Sequence, residues 1–162
     1  MDEKIGIFHM VENGNLEMYK NYIEMFELNI INQNGMSLLH KAIAYQHWEI
    51  AFDLVYRSID VNIQDHKGQS SLHYLGFSPN LELAKAIIQN GGMLELKDYF
   101  GNSPLWYAVF NARGNWAFVE LLIQNNAKPN SVNKSGKTPL DFAHQIKDQR
   151  LIEILGNINN GS

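Results

Sequence analysis

The sequence predicts an all-α solenoid of about five stacked helix-turn-helix units, and three observations predict it. One cassette occurs four times: Asn32-Gln-Asn-Gly35-Met-Ser37-Leu-Leu39-His40-Lys-Ala42, Asp65-His-Lys-Gly68-Gln-Ser70-Ser-Leu72-His73-Tyr-Leu75, Asp98-Tyr-Phe-Gly101-Asn-Ser103-Pro104-Leu105-Trp-Tyr-Ala108 and Asn133-Lys-Ser-Gly136-Lys-Thr138-Pro139-Leu140-Asp141-Phe-Ala143. Subtracting the positions of their glycines gives steps of 33, 33 and 35 residues. A fixed period of that length marks a stacked repeat array. Between cassettes, apolar residues recur at helical spacing, as in Leu16, Tyr19, Ile23 and Phe26.

Each cassette reads as a tight turn running straight into a helix. In the copy at 98–108, Gly101 supplies the backbone freedom of the turn. The Asp98 carboxylate is placed to accept from turn amides. Ser103 is a natural N-cap, and Pro104 sits at the first helical position, where its missing N–H costs nothing. Leu105 and Ala108 then share one face.

The units follow in order: 1–31, 32–64, 65–97, 98–132 and 133–156, one domain over 1–156 with a flexible tail at 157–162. The first unit, a helix pair over 4–28, lacks the cassette, as expected of an N-terminal capping repeat. Ile5, Phe8, Met10 and Val11 form its first stripe, and Asn15 caps its second helix. The second unit places helices at Ser37–Tyr45 and Trp48–Arg57, with Ile50, Phe52, Leu54 and Val55 inward. The third has helices over Ser70–Phe77 and Leu81–Gln89, closed by Asn90-Gly91-Gly92. In the fourth, helices over Ser103–Phe110 and Trp116–Gln124 flank the lengthened loop Asn111-Ala-Arg113-Gly-Asn115. The fifth, with helices at Pro139–Gln145 and Asp148–Leu155, has the polar character of a C-terminal cap.

The period and the [S/T]-P-L-H-x-A pattern resemble the ankyrin repeat family over nearly the whole chain. The resemblance implies an ankyrin repeat solenoid whose histidines, His40 and His73, bond the cap hydroxyl and neighbouring loop backbone. It implies protein binding through the projecting turns, here called fingers, and the concave ends of the first helices. The fingertip pairs are then Gln33-Asn34, His66-Lys67, Tyr99-Phe100 and Lys134-Ser135.

Composition narrows the classes. Net charge is −4 with pI near 5.8, which argues against nucleic acid or an anionic membrane and favours a basic protein partner. There are no cysteines, hence no disulfide or thiolate metal site. With no apolar run of about 18 residues and no basic flank before an apolar stretch, the expectation is a soluble, cytoplasmic protein, monomeric alone. Neither a phosphate-binding glycine loop nor a nucleophile elbow occurs, and carboxylates are scattered singly, so no catalytic, cofactor or metal site is expected.

The partner-binding candidates are Tyr99, Phe100, Phe110, Arg113, Phe77, His66, Lys67, Asn102, Asn111 and Trp106. Tyr99 and Phe100 lead because a solvent-facing turn gives two aromatics no packing role. Trp106 replaces the signature histidine; it either extends the aromatic patch or fills the histidine's slot. Trp48 and Trp116 are read as packing. The third to fifth units also look like short bacterial ankyrin repeat proteins, some of which accompany toxins. That likeness implies an immunity protein, or antitoxin, that neutralises a basic toxin domain by direct binding. The alternatives are a viral or parasite decoy of the inhibitor-of-NF-kappa-B-like type, an intracellular scaffold, or an enzyme accessory subunit.

Overall fold

The computed structural model describes residues 3–156, with side chains from Gly6 onward; the tail expected at 157–162, and Ile5 of the first stripe, lie outside the described residues. Among the described residues ten helices run in pairs: α1 (Glu3–Glu12) and α2 (Leu16–Tyr22, extended by a 3-10 turn at Ile23–Met25), α3 (Leu38–Ala44) and α4 (Trp48–Tyr56), α5 (Ser71–Leu75) and α6 (Leu81–Gln89), α7 (Pro104–Phe110) and α8 (Ala117–Gln124), α9 (Pro139–Ile146) and α10 (Gln149–Gly156). First helices pack on first helices and second on second, giving two parallel rows. The chain is an all-α repeat solenoid.

Among the described residues no helix after α1 exceeds nine residues, too short to persist alone in water, where about 12–15 are needed. Stacking supplies the stability. One continuous apolar cluster runs from Ile7 to Leu155. Leu39, Leu72 and Leu105, the same position of three cassettes, are buried in it, each contributing about 1.5–3 kcal/mol. Side-chain caps mark where α2 and α6 start: Asn15 Oδ1 accepts from Met18 N (3.0 Å) and Asn80 Oδ1 from Leu83 N (3.0 Å).

Several boundaries, most by a single residue, and one face differ from the sequence reading. Helix α5 stops at Leu75 rather than Phe77. Gly76 is a poor helix former, and it lies so close to Tyr107 that a Cβ there would stand 2.5 Å from that residue's Cβ. Trp116 caps α8 instead of opening it, and its indole N–H donates to Asp148 Oδ2 (3.2 Å) in the next repeat. Helix α9 runs one residue past Gln145, to Ile146. In α4, Ala51 takes the inward place expected of Phe52, which faces solvent.

His40 and His73 tie repeat to repeat. Ser37 N donates to His40 Nδ1 (3.0 Å), so that nitrogen is the acceptor, and Nε2–H donates to Gln69 O (2.9 Å) of the following repeat. Ser70 N, His73 and Asn102 O repeat the arrangement at 3.0 and 3.1 Å. Burial holds both imidazoles below the ordinary value of about 6.5. A histidine with a lowered folded pKa contributes stability that is present above the unfolded value and lost as pH falls through it. The melting temperature is therefore expected to be flat above about pH 7 and to drop below about pH 6.5. Replacing both histidines with glutamine should flatten that slope; an unchanged slope in thermal melts would count against this linkage.

The fourth repeat departs from the pattern. Trp106 cannot accept from the cap, and the buried Ser103 Oγ has no hydrogen-bond partner, so Ser103 caps α7 by position only. A buried orphan hydroxyl costs about 1–3 kcal/mol. Ser103→Ala is expected to hold or raise stability. Ser70→Ala, which removes a hydroxyl bonded to His73 Nδ1 (2.9 Å), is expected to lower it by about 1–2 kcal/mol. Parallel urea melts compare the two, and equal losses would contradict the assignment. In the fifth repeat Asp141 takes over the cap half of the histidine's role: its Oδ2 accepts from Thr138 N (2.9 Å), and that bond keeps its carboxyl below the usual range.

Candidate functional site: fingers and first helices

Each finger is built around the first residue of its cassette. Asp98 Oδ1 accepts from Phe100 N (2.9 Å) and Asn102 N (2.8 Å), while Oδ2 accepts from the Tyr107 hydroxyl (2.6 Å). Asp65 does the same with Lys67 N, Gln69 N and the Tyr74 hydroxyl. Burial, then the bond to Asp98, leaves the Tyr107 phenol pushed up to about 12, so it stays a donor at neutral pH. Tyr74 is raised for the same reasons. Where the tyrosine is absent, in the repeats with Lys41 and Phe142, the turn residue is Asn32 or Asn133. Asparagine makes the same turn bonds without a second anionic oxygen to satisfy.

Backbone bonds then lock finger to finger. His66 N donates to Asn34 O (3.0 Å), Tyr99 N to Lys67 O (2.8 Å) and Lys134 N to Phe100 O (2.9 Å). Gly68 and Gly101 have φ of 76° and 78°, and a Cβ on either would stand about 3 Å or less from backbone of the next finger. Both demands select glycine there.

On this rigid row Tyr99 and Phe100 are 67% and 60% exposed. Their rings meet edge to face at 5.5 Å, and Lys134 Nζ sits 4.7 Å from the Tyr99 centroid. A second set of rings lies along the first helices. Phe77 packs on Tyr107 (4.9 Å), Phe110 on Phe142 (5.3 Å) and Trp106 on Phe142 (5.9 Å). Phe77 and Phe110 remain more than half exposed. Among the described residues no ring pair joins the fingertip set to the helix set.

The other candidates divide. His66, Lys67 and Arg113 are exposed, Arg113 in a left-handed position (φ 44°) of the long loop. Asn102 and Asn111 are committed within the fold: Asn102 O accepts from His73 and its Oδ1 from Asn133 Nδ2, while Asn111 Nδ2 donates to Tyr107 O. Trp106 is half-buried against Phe142, filling part of the histidine's place without its hydrogen bonds.

Two residues of this surface, Tyr107 and Phe142, were not among the sequence candidates, and Lys134 entered only as part of a fingertip pair. For the tyrosine a signal existed, since aspartate and tyrosine recur together nine residues apart, at 65/74 and 98/107. The second-helix side also exposes apolar residues in the first two repeats, Met18, Tyr22, Phe52 and the 89%-exposed Tyr56 among them.

The family described as ankyrin repeats (three copies) matches residues 7–98 and 46–133. A search among curated proteins gives no match. With that family covering most of the sequence, and with paired helices, stacked fingers and cap-to-histidine bonds in place, the chain belongs to the ankyrin repeat family.

Proposed function

We propose that this protein acts by occupying a surface of another protein, and that it is an immunity protein neutralising a toxin by direct binding, in the cytoplasm and as a monomer when unbound. Ankyrin repeats make the array a protein–protein interaction module. We assign it no chemistry of its own. Among the described residues no helix is long and apolar enough to cross a membrane.

The observation that carries the choice of surface is the pair Tyr99 and Phe100, exposed on fingers whose backbone is already locked. Exposed aromatics on a rigid support lose little freedom on binding, which is the usual character of anchor residues. The toxin-neutralising role draws on the likeness of the third to fifth cassettes to short bacterial ankyrin proteins. The test is growth of cells expressing the product of the adjacent gene, with and without this protein. Rescue by the wild type, lost on changing Tyr99 and Phe100 to alanine, supports the proposal. A harmless neighbour, or one whose toxicity persists beside excess wild-type protein, would sink the immunity role.

A further inference from the structure

We propose that the face formed by the fingers and first helices of repeats three to five takes an acidic segment of its partner, with carboxylates flanking aromatic or leucine side chains. The proposal rests on the reading of this face as the binding face and adds the partner's chemistry.

The net charge of −4 does not describe this face. The segments that build it are 65–77, 98–113 and 133–147. They carry Lys67, Arg113, Lys134, Lys137 and Lys147 against Asp65, Asp98 and Asp141. Of 13 Lys+Arg and 17 Asp+Glu, that is five and three, leaving eight cations and fourteen carboxylates for the rest of the chain. The three carboxylates of the face are engaged. Asp65 and Asp98 are buried and accept from turn amides and a tyrosine, and Asp141 accepts from Thr138 N. The five cations are exposed, and among the described residues none is in an ion pair. On the second-helix side Arg57, Lys85 and Arg150 each meet a carboxylate, while Lys20 among the described residues does not.

One of these cations, Lys134, also stands against the rings. Lys134 lies over Tyr99, beside Phe100. An apolar side chain set on this ring pair would bring a neighbouring carboxylate to Lys134. Charges so placed act more on specificity and encounter rate than on raw affinity, and they weaken with salt. The basic partner expected from net charge would instead be drawn to the acidic second-helix side. Rings among cations also suit single-stranded nucleic acid. The acidic remainder of the chain opposes a long polyanion that extends beyond the face, and a short acidic peptide segment meets no such opposition.

The experiment selects binders from a random peptide library against the full chain, then titrates the enriched peptides and a single-stranded oligonucleotide. Expected are peptides rich in Asp and Glu beside Trp, Phe or Leu. Their binding should weaken roughly tenfold or more in Lys67→Glu with Lys134→Glu and Lys137→Glu, and with added salt. Enrichment of basic or uncharged peptides, no enrichment, or tighter binding of the oligonucleotide overturns the proposal. Peptides lost in Tyr99→Ala with Phe100→Ala but indifferent to charge reversal overturn only the acidic chemistry. Peptides indifferent to that aromatic double change overturn the face itself.

Discussion

Leu105→Ala is expected to lower the unfolding free energy by about 2–5 kcal/mol, the largest stability loss of any single change considered. Leu105 is fully buried on α7, which packs against both α5 and α9. Truncation leaves a cavity between two interfaces, and the neighbouring backbones, held by finger bonds on either side, can collapse only in part. In a short array one weakened interface lowers the whole transition, because no repeat is stable alone. For a chain of this size the melting temperature should fall by roughly 4–20 °C. A melt that matches wild type would mean that Leu105 does not hold the inter-repeat position assigned to it.

Changing Tyr99 and Phe100 together to alanine is expected to weaken partner binding roughly thirtyfold or more, with the fold intact. Both rings stand in solvent, and the bonds that fix the finger come from the backbone amides of those residues, which alanine keeps. The companion control is Gln124→Ala on the exposed side of α8. Glu120 would be a poorer control, since it forms an ion pair with Arg150 across two repeats (2.7 Å). Titration calorimetry against the purified partner measures both. Wild-type affinity in the double variant, together with loss of binding on second-helix changes, would move the interface to the opposite side.

The repeat period made the fold legible before any coordinates. Its cassette occurs four times, and each copy carries its own turn glycine, cap and leucine. Exact helix ends were less legible where contacts between repeats decide them. Gly76 is a local signal for the end of α5, but its close approach to Tyr107 of the next repeat does not show within the third repeat alone. Phe52 misled because its neighbours Ile50, Leu54 and Val55 are all buried, yet rotation of α4 turns Ala51 inward instead. For the surface, sequence position placed the fingertips and named Tyr99 and Phe100. It could not separate Asn102 and Asn111, whose amide groups close bonds within the fold, from side chains left to solvent. Nor could net charge show that the segments building this face carry more cations than carboxylates.

The missing imidazole of the fourth repeat has a consequence for motion. His40 and His73 each span a joint between repeats with an Nε2–H bond, whereas Trp106 spans the last joint with ring contact alone. Opening should therefore be graded along the chain, with the fifth repeat separating at lower free energy than the middle three. Backbone amides of α9 and α10 are expected to exchange with deuterium ahead of those of α3, α5 and α7. A partner seated across Phe100, Lys134 and Phe142 would staple this seam. Slower exchange in α10, a helix remote from the contact, would then report occupancy of the site at a distance.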